Sequence, residues 1–333
     1  MRAAVHSGYG PPEIVHVRDV PTPTVRDGDV LVRVVATTVN RTDCAYRAGR
    51  PLFARPLYGL PGPRARVLGC EFAGDVEAVG SAVRRFRVGD RVFGYNEGPF
   101  GAHAEFLALP ATASVATIPT NVTYPAAAAA TEGSHYALSM IMAARVRPGH
   151  RVLVNGATGA IGSAAVQLLS VFGARVTAVC AAEHVDLVGN LGARRVIDYT
   201  AVDFTRDEET FDVVLDAVGK SSFGACRRLL TARGAYLSTE LGRGAQNPPL
   251  ALVTPVLRGR RVLFPVPHHS QLLVERLRVL LQDGRFRPVI DRHYPLDRIV
   301  DAHRYAESGR KIGSVVIDIG SSGSPAAGSP AGN

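Results

Sequence analysis

The chain has 333 residues, a net charge of +9 and 46% hydrophobic residues. This length exceeds one typical hydrophobic core and predicts two domains. The sequence contains no apolar run long enough to span a membrane, and the residues after Met1 lack the apolar core of a signal peptide, so we expect a cytoplasmic protein.

The basic residues are nearly all arginines, since only Lys220 and Lys311 are lysines. They are scattered along the chain, and the densest cluster, residues 258–261, is short. Nucleic-acid binding would favour a longer basic stripe or interleaved aromatic residues. We therefore predict a solvated basic surface and no nucleic-acid partner.

Short strands and turns dominate residues 1 to about 120. Residues 30–39 are rich in valine, residues 75–80 alternate with the period of a half-buried strand, and a glycine-aspartate turn leads into a strand within residues 88–93. Residues 50–66 are rich in Pro, Gly and aromatic residues, which predicts a loop of a length that often covers a site.

The pattern changes near Asn121. Pro125 fits the first position of a helix, and the alanines that follow favour a helix running toward Met142. Strands and helices then alternate, as in a doubly wound parallel sheet. The predicted strands are residues 151–155, 175–180, 195–199, 211–218, 235–239 and 261–266.

The end of the chain is predicted to form a short return segment and a tail. Helices are predicted at residues 271–282 and 297–307, and a last strand at residues 314–319. Residues 320–333 are rich in Gly, Ser, Pro and Ala, so we predict a disordered tail.

A glycine-rich turn joins the first of these strands to a helical pattern at residues 163–172. Backbone N–H groups and the dipole at a helix start favour a diphosphate. In this interpretation Gly156 allows the tight turn, Gly159 lets the backbone approach the phosphates, and Gly162 lets the helix lie close to the strand. A glycine string alone is a weak signal, but here a strand precedes it and a helix follows. The predicted cofactor-binding residues in this turn are Gly156, Ala157, Thr158, Gly159, Ala160 and Ile161.

Several further motifs give the chain a family resemblance. They are Gly-Cys-Glu-Phe-Ala-Gly at residues 69–74, Val-Gly-Asp-Arg-Val-Phe at 88–93, Gly-Ala-His-Ala-Glu at 101–105, and Phe-Asp-Val-Val-Leu-Asp-Ala-Val-Gly at 211–219. With the glycine turn, they resemble the medium-chain dehydrogenase/reductase superfamily, and most of all its zinc-independent, zeta-crystallin-like quinone oxidoreductases. The resemblance implies an α/β fold: a β-rich GroES-like catalytic domain at 1–122 with a return segment at 287–319, and a doubly wound (Rossmann) domain at 123–286.

Zinc-dependent members of the superfamily hold catalytic zinc with Cys, His and Cys. Here Asn40 stands at the first position, Cys70 at the second, and no cysteine lies near Ala130 at the third. None of the four cysteines is in a C-x-x-C pair, and the structural zinc lobe is missing. We therefore expect no metal, and we expect Cys44 and Cys70 to be packing residues.

The resemblance also assigns candidate catalytic residues. Asn40, Asp43 and Tyr46 lie on the segment that carries the metal site in zinc relatives, and in quinone reductases Asn and Tyr from this segment face nicotinamide and substrate. Tyr46 lies one position later than the family tyrosine. His135 is a candidate proton donor, although a histidine on a helix is more often structural. We expect His103 to be structural and His268 and His269 to bind no metal.

The cofactor is expected to be NADPH, with NADH possible. The second strand of the sheet ends at neutral Cys180, which leaves room for a 2′-phosphate, whereas the following Glu183 would repel one. By resemblance, Thr131 lies near the nicotinamide, Tyr199 near the adenine side, and Val218 and Gly219 after the fourth strand. Lys311 belongs to a segment that approaches the cofactor in the family.

The expected function is an NAD(P)H-dependent oxidoreductase that transfers hydride to a quinone or an α,β-unsaturated carbonyl without catalytic zinc. Without a Lewis acid, nothing stabilises the alkoxide that alcohol oxidation requires. A stand-alone enoyl reductase of secondary metabolism and a non-catalytic, nucleotide-bound binding protein are the alternatives. The expected partners are a small-molecule substrate and a second copy of the chain, because family members pair the strand equivalent to residues 261–266 across a dimer.

Overall fold

The computed structural model describes residues 1–257, 259–267 and 270–319. Arg258 of the densest basic cluster, the pair His268 and His269, and the predicted tail from residue 320 lie outside the described residues. The chain forms two compact units. The first comprises Met1–Ala111, Arg292–Arg310 and the described residues from Val315 onward, and the second comprises Thr112–Asp291 and Lys311–Ser314.

Strands dominate the first third of the chain, and strands and helices alternate in the remainder. The strands are β1 (Arg2–Val5), β2 (His16–Asp19), β3 (Asp29–Val39), β4 (Glu71–Val79), β5 (Arg91–Tyr95), β6 (Phe106–Pro110), β7 (Ser114–Thr117), β8 (Arg151–Asn155), β9 (Arg175–Cys180), β10 (Arg195–Asp198), β11 (Phe211–Asp216), β12 (Leu230–Ser238), β13 (Arg261–Leu263), β14 (Ile290–Pro295) and β15 (Ser314–Asp318). The helices are α1 (Arg41–Ala48), α2 (Arg55–Tyr58), α3 (Tyr124–Ala129), α4 (Thr131–Ala143), α5 (Ala160–Val171), α6 (Val185–Asn190), α7 (Phe223–Cys226), α8 (Asn247–Val253), α9 (Gln271–Gln282) and α10 (Ile299–Glu307).

The first unit is built around β3. This strand pairs antiparallel with β4, β6 and β15, and β4 continues the sheet to β5. The β-branched run of β3 is buried along nearly its whole length, as expected for a central strand. The prediction of a loop throughout residues 50–66 is wrong for α2, where Pro56 sits in the first turn and its missing N–H removes no helical bond.

The second unit contains a six-stranded parallel sheet in the order β10-β9-β8-β11-β12-β13. The doubly wound fold is thereby confirmed, and the order of connection reverses between β8 and β11. In sheets of this kind ligands bind beyond the carboxyl ends of the strands at such a reversal. Asn155 and Asp216 end these two strands side by side.

Two of the predicted strands end two or three residues earlier than expected. The strand predicted at 211–218 ends at Asp216, because the Asp216 side chain takes the backbone N–H groups of Val218 and Gly219 that a ladder would use. The strand predicted at 261–266 ends at Leu263, shortly before Pro265, which has no N–H to donate.

Helix boundaries also differ in detail. The single helix predicted from Pro125 toward Met142 is two consecutive helices, α3 and α4, and Pro125 occupies the second position of α3 behind a Thr123 cap. The helix predicted at 297–307 begins at Ile299, after a short 3-10 turn. Across the described residues, no helix combines the length and apolar character needed to cross a bilayer.

Candidate functional site

The glycine turn of the second unit starts with Gly156 in a left-handed conformation, at φ +79°. A Cβ atom there would lie 1.6 Å from Cγ1 of Val218, so only glycine fits. The N–H groups of Gly156 and Ala157 donate to the Val179 carbonyl oxygen, at 3.2 and 3.0 Å. The turn is thus fixed to β9 on one side and lies against the segment after β11 on the other.

Gly162 has a packing role that differs from the predicted one. A Cβ atom there would lie 2.0 Å from the Gly156 carbonyl oxygen, so α5 packs closely on the turn itself rather than on the strand. A Cβ atom on Gly133 of α4 would lie 2.4 Å from the Ala160 carbonyl oxygen. The sequence analysis missed Gly133, because a glycine within a helix does not reveal which neighbour approaches it.

Gly159 differs from both of these glycines. It is the N-cap of α5, it has an ordinary φ of −70°, and no side chain caps the helix. A Cβ atom there would meet nothing closer than the Gly156 carbonyl oxygen at 3.8 Å. The first N–H groups of a helix lack acceptors within it. The start of α5 therefore combines open space with N–H donors, which fits a diphosphate.

The segment Lys311–Ser314 supports this turn from the other side. The Gly313 N–H donates to the Thr158 carbonyl oxygen at 2.6 Å, and the Lys311 ammonium group donates to the Gly313 carbonyl oxygen at 2.7 Å. Lys311 was singled out by resemblance, but nothing in the sequence indicated that Gly313 contacts residue 158.

Asp216 organises the segment that follows β11. Its buried carboxylate accepts hydrogen bonds from the Asn155 amide (3.0 Å), the N–H groups of Val218 (3.3 Å), Gly219 (3.0 Å) and Ser221 (2.9 Å), and the Tyr236 hydroxyl (3.1 Å). Burial raises the pKa of Tyr236 well above its usual range, so this phenol remains a donor. Asp216 thereby sets the positions of Val218 and Gly219. The sequence analysis gave it no role, although an acid at the end of an apolar strand was a visible signal.

The strand β9 ends at a neutral residue, Cys180, whereas β10 ends at Asp198. Cys180 is buried. Burial, and to a smaller extent the nearby Asp198 carboxylate, raises the pKa of the Cys180 thiol to about 11, so the thiol stays uncharged. The Tyr199 N–H donates to the Cys180 carbonyl oxygen at 3.1 Å, while the Tyr199 residue is 57% exposed. Glu183 follows the end of β9 and lies 3.3 Å from the His184 ring.

Most of the predicted cofactor residues meet at one edge of the parallel sheet. Cys180 is the last residue of β9. The carboxyl ends of β8, β10 and β11 are followed by residues 156–161, by Tyr199, and by Val218 and Gly219. Thr131 begins α4, the helix whose Gly133 packs on Ala160, and its hydroxyl donates to the Ala128 carbonyl oxygen at 3.3 Å. His135 is buried further along the same helix.

The predicted catalytic residues lie in the first unit, where Asn40 is the N-cap of α1. Its Oδ1 accepts the Asp43 N–H at 3.0 Å, and the Asp43 carboxylate accepts the Asn40 N–H at 3.1 Å, which forms a capping box. The Asn40 amide nitrogen donates to the Cys70 sulfur at 3.0 Å. Both polar atoms of the Asn40 side chain therefore have partners within this unit.

Tyr46 connects α1 to the covering loop (residues 50–66). Its hydroxyl donates to the Tyr58 carbonyl oxygen at 2.9 Å and accepts the Ala65 N–H at 3.3 Å. Its ring packs against Tyr58 and Phe100, with centroids 4.6 and 4.7 Å apart. Within this unit, the geometry gives Tyr46 the role of an anchor for the covering loop.

Asp43 is a fully buried acid. Its carboxylate accepts the N–H groups of Asn40 and Gly69, which lower its pKa, but burial outweighs them and raises the pKa to about 8. His103 is also buried, its Nε2 lies 2.8 Å from the Thr38 carbonyl oxygen, and burial lowers its pKa to about 4. A neutral histidine held by a backbone carbonyl agrees with the structural role predicted for His103.

Because Asp43 is buried and its pKa is raised, the free energy of unfolding is expected to depend on pH. An aspartate in the unfolded chain has a pKa of about 3.9, so between that pH and about 8 the folded state holds a proton that the unfolded state has lost. The stabilisation is complete below the lower pKa and is lost as the pH rises to about 8. Buried histidines with a lowered pKa, such as His103, change the free energy of unfolding only below about pH 6.5, where the unfolded chain binds protons that the folded protein does not.

We therefore expect the free energy of unfolding to fall between pH 6.5 and 8 by up to about 1.4 kcal/mol per pH unit. Urea unfolding at several pH values measures this slope, and Asp43→Asn should flatten it. An equal slope in both proteins would show that Asp43 is already ionised at neutral pH.

The side chains at the positions that hold catalytic zinc in the zinc-dependent relatives differ chemically from a zinc site, because the Cys70 sulfur accepts a hydrogen bond from the Asn40 amide. Cys44 stands at none of these positions, and its sulfur lies 3.4 Å from Nδ1 of His303. Across the described residues, no group of three or more His, Cys, Asp or Glu side chains is arranged to hold a metal ion.

A chain with a doubly wound sheet, a glycine turn at the reversal of that sheet, and a separate β-rich unit belongs to the class of two-unit, dinucleotide-binding enzymes. Family models confirm this class: residues 26–120 match the alcohol dehydrogenase GroES-like domain, and residues 191–317 match a zinc-binding dehydrogenase model. The chain belongs to the medium-chain dehydrogenase/reductase superfamily, in its quinone oxidoreductase-like branch. It is an oxidoreductase that uses a nicotinamide cofactor.

Individual relatives match along nearly the whole chain. The 2-methylene-furan-3-one reductase of Solanum lycopersicum is 32% identical over 329 residues, covering 95% of this chain and 79% of the relative. The chloroplastic NADPH-dependent alkenal/one oxidoreductase of Arabidopsis thaliana is 30% identical with the same two coverages. The solved structure of the quinone oxidoreductase from Coxiella burnetii is 25% identical, with a TM-score of 0.85 over 96% of this chain and 99% of that one.

Proposed function

We propose that this protein is an NADPH-dependent reductase that transfers hydride to a small quinone or to the β-carbon of an α,β-unsaturated carbonyl compound. The observation that carries the proposal is the open space at Gly159 beside the uncapped start of α5. The names of the relatives agree, since they specify an alkenal or alkenone, a methylene-furanone and a quinone.

The chemistry requires little from protein side chains. When bound, the cofactor supplies the hydride. The turn at residues 156–161 holds the diphosphate, and the neighbouring strand ends orient the rest of the molecule. An electron-poor carbon accepts the hydride, and water can protonate the resulting enolate or hydroquinone oxygen. The roles of Asn40, Asp43 and Tyr46 in lining the substrate site stay predictions from the resemblance.

The preference for NADPH over NADH is supported by the neutral end of β9. An NAD site usually places an acid there to hold the ribose diol, and the buried Cys180 thiol offers none. The neighbouring Glu183 is in contact with His184. We propose NADPH as the physiological cofactor, with NADH as a weaker substitute, and we retain the cytoplasmic location as a prediction.

The proposed reaction proceeds without catalytic zinc. Asn40 replaces a thiolate ligand, and its amide already donates to the Cys70 sulfur at 3.0 Å. We therefore expect purified protein to carry no stoichiometric zinc and to keep its activity in the presence of chelators. Elemental analysis measures the first and an activity assay the second. One zinc per chain together with activity lost to chelators would contradict this assignment.

We also propose a homodimer built on the β13 edge of the parallel sheet. An exposed apolar edge strand is a liability unless another chain pairs with it. Leu252, Val256 and Leu257, on α8 and the turn after it, are 79, 78 and 70% exposed, and α8 packs beside β13. Light scattering at micromolar concentration should give the mass of two chains, and a strictly monomeric protein would refute the dimer.

The function is tested by measuring NADPH and NADH oxidation against quinones, alkenones and saturated aldehydes. We expect NADPH consumption with quinones and alkenones, and much slower reaction with saturated aldehydes. Binding of NADPH without turnover on any conjugated acceptor would favour the alternative of a non-catalytic binding protein.

A further inference from the structure

The covering loop presents a dense group of apolar side chains to solvent. Leu52, Phe53, Leu57 and Leu60 lie within nine residues and are 66, 71, 76 and 66% exposed. Single exposed apolar residues are ordinary, but a concentration of this kind marks an interaction surface. We call these four residues the apolar tip.

The inner side of the same loop is already fixed to the first unit. The Tyr46 hydroxyl bonds the Tyr58 carbonyl oxygen and the Ala65 N–H, and the Tyr9 hydroxyl donates to the Gly59 carbonyl oxygen at 2.8 Å. Ala54, Gly59 and Pro63 are buried. The apolar tip therefore cannot turn inward without breaking these contacts, and its exposure is built into the fold.

The covering loop itself is positively charged, although Glu97 acts on its Tyr58 from a neighbouring segment. Arg50, Arg64 and Arg66 are exposed on the loop. No aspartate or glutamate occurs between Asp43 and Glu71, so the loop carries no acid of its own. Apolar side chains rimmed by arginine match the boundary between the acyl chains and the phosphate headgroups of an anionic bilayer.

We propose that the covering loop docks the protein on the surface of an anionic lipid bilayer. The apolar tip enters the headgroup boundary, and the arginines pair with lipid phosphates. A second copy of the chain is a poorer occupant, because a twofold contact would place the same arginines against one another. The docking goes beyond the proposed reductase function and does not depend on it.

The test is sedimentation of the full chain with phosphatidylcholine vesicles, with and without phosphatidylglycerol. We expect binding that requires phosphatidylglycerol and weakens with salt. Phe53→Ser with Leu57→Ser should weaken binding at least about tenfold, since both side chains leave the membrane boundary. Arg50→Gln with Arg64→Gln should weaken binding to the anionic vesicles by about tenfold or more.

The matched control is Val88→Ser with Val202→Ser, which removes two apolar side chains that are 64 and 59% exposed elsewhere. This variant should bind as the parent does, and circular dichroism should show that every variant is folded. Docking by the loop is overturned if anionic vesicles bind no protein. It is also overturned if the double variant with serine at Phe53 and Leu57 binds anionic vesicles as the parent does while the double arginine variant binds them less. The same holds if the serine variant alters only the mass measured by light scattering.

Discussion

Replacing Gly159 by valine is expected to weaken NADPH binding by at least about a hundredfold while leaving the protein folded. The fold should survive because a Cβ atom at Gly159 meets no atom closer than 3.8 Å. Binding should fail because the side chain fills the space beside the first N–H groups of α5. Each charge-assisted hydrogen bond lost there is worth roughly 1.5–3 kcal/mol, and about 1.4 kcal/mol corresponds to a factor of ten.

Cofactor fluorescence titration measures the affinity, and circular dichroism checks the fold. The matched control is Gly189→Val in α6, since a Cβ atom there also meets nothing within 4 Å. It should bind NADPH as the parent does. If folded Gly159→Val also does so, the glycine turn is not the phosphate cradle. Gly156→Val and Gly162→Val do not serve this purpose, because their Cβ atoms would lie 1.6 and 2.0 Å from existing atoms and disturb the fold.

The second large effect is expected on stability, from Asp216→Asn. The Asp216 carboxylate accepts donors on both oxygens, from Asn155 and Gly219 on Oδ1 and from Ser221 and Tyr236 on Oδ2. Whichever way an asparagine amide is turned, its NH2 group faces donors and leaves them without an acceptor. Losing one or two bonds to a charged group should lower the free energy of unfolding by about 2–4 kcal/mol.

Urea unfolding measures this loss. Asp212→Asn is the matched control on the same strand. From the part of the chain that the structure describes, the Asp212 carboxylate accepts only the Arg151 N–H at a normal distance, 2.9 Å, and a weak contact from Thr231 at 3.5 Å. It should cost no more than about 1.5 kcal/mol. Equal losses in the two variants would show that Asp216 is not the organising acid. NADPH affinity should also fall in Asp216→Asn, since Val218 and Gly219 lose their support.

The sequence predicted best where the signal is local. The β-branched runs at residues 151–155 and 175–180 and the glycines between them identify strand, turn and helix without knowledge of any distant residue. These elements alternate in order, and right-handed connections between parallel strands leave few possible topologies. For that reason the doubly wound sheet could be predicted from the chain alone.

The sequence predicted least where a residue's role depends on distant partners. Asn40 lies 30 residues from Cys70, and nothing local indicates that its amide donates to that sulfur. Tyr46 has its hydroxyl partners at Tyr58 and Ala65, so its task in holding the covering loop becomes visible only after folding. Gly133 is an ordinary helical glycine until the Ala160 carbonyl oxygen is found against it.

The most direct test of the proposed function is the path of the hydride. NADPH dideuterated at the nicotinamide C4 position is incubated with the protein and an alkenone, and the product is analysed by mass spectrometry and NMR. We predict a saturated ketone that carries one deuterium at the β-carbon. An alcohol with deuterium at the former carbonyl carbon, or a saturated product without deuterium, would contradict the assignment.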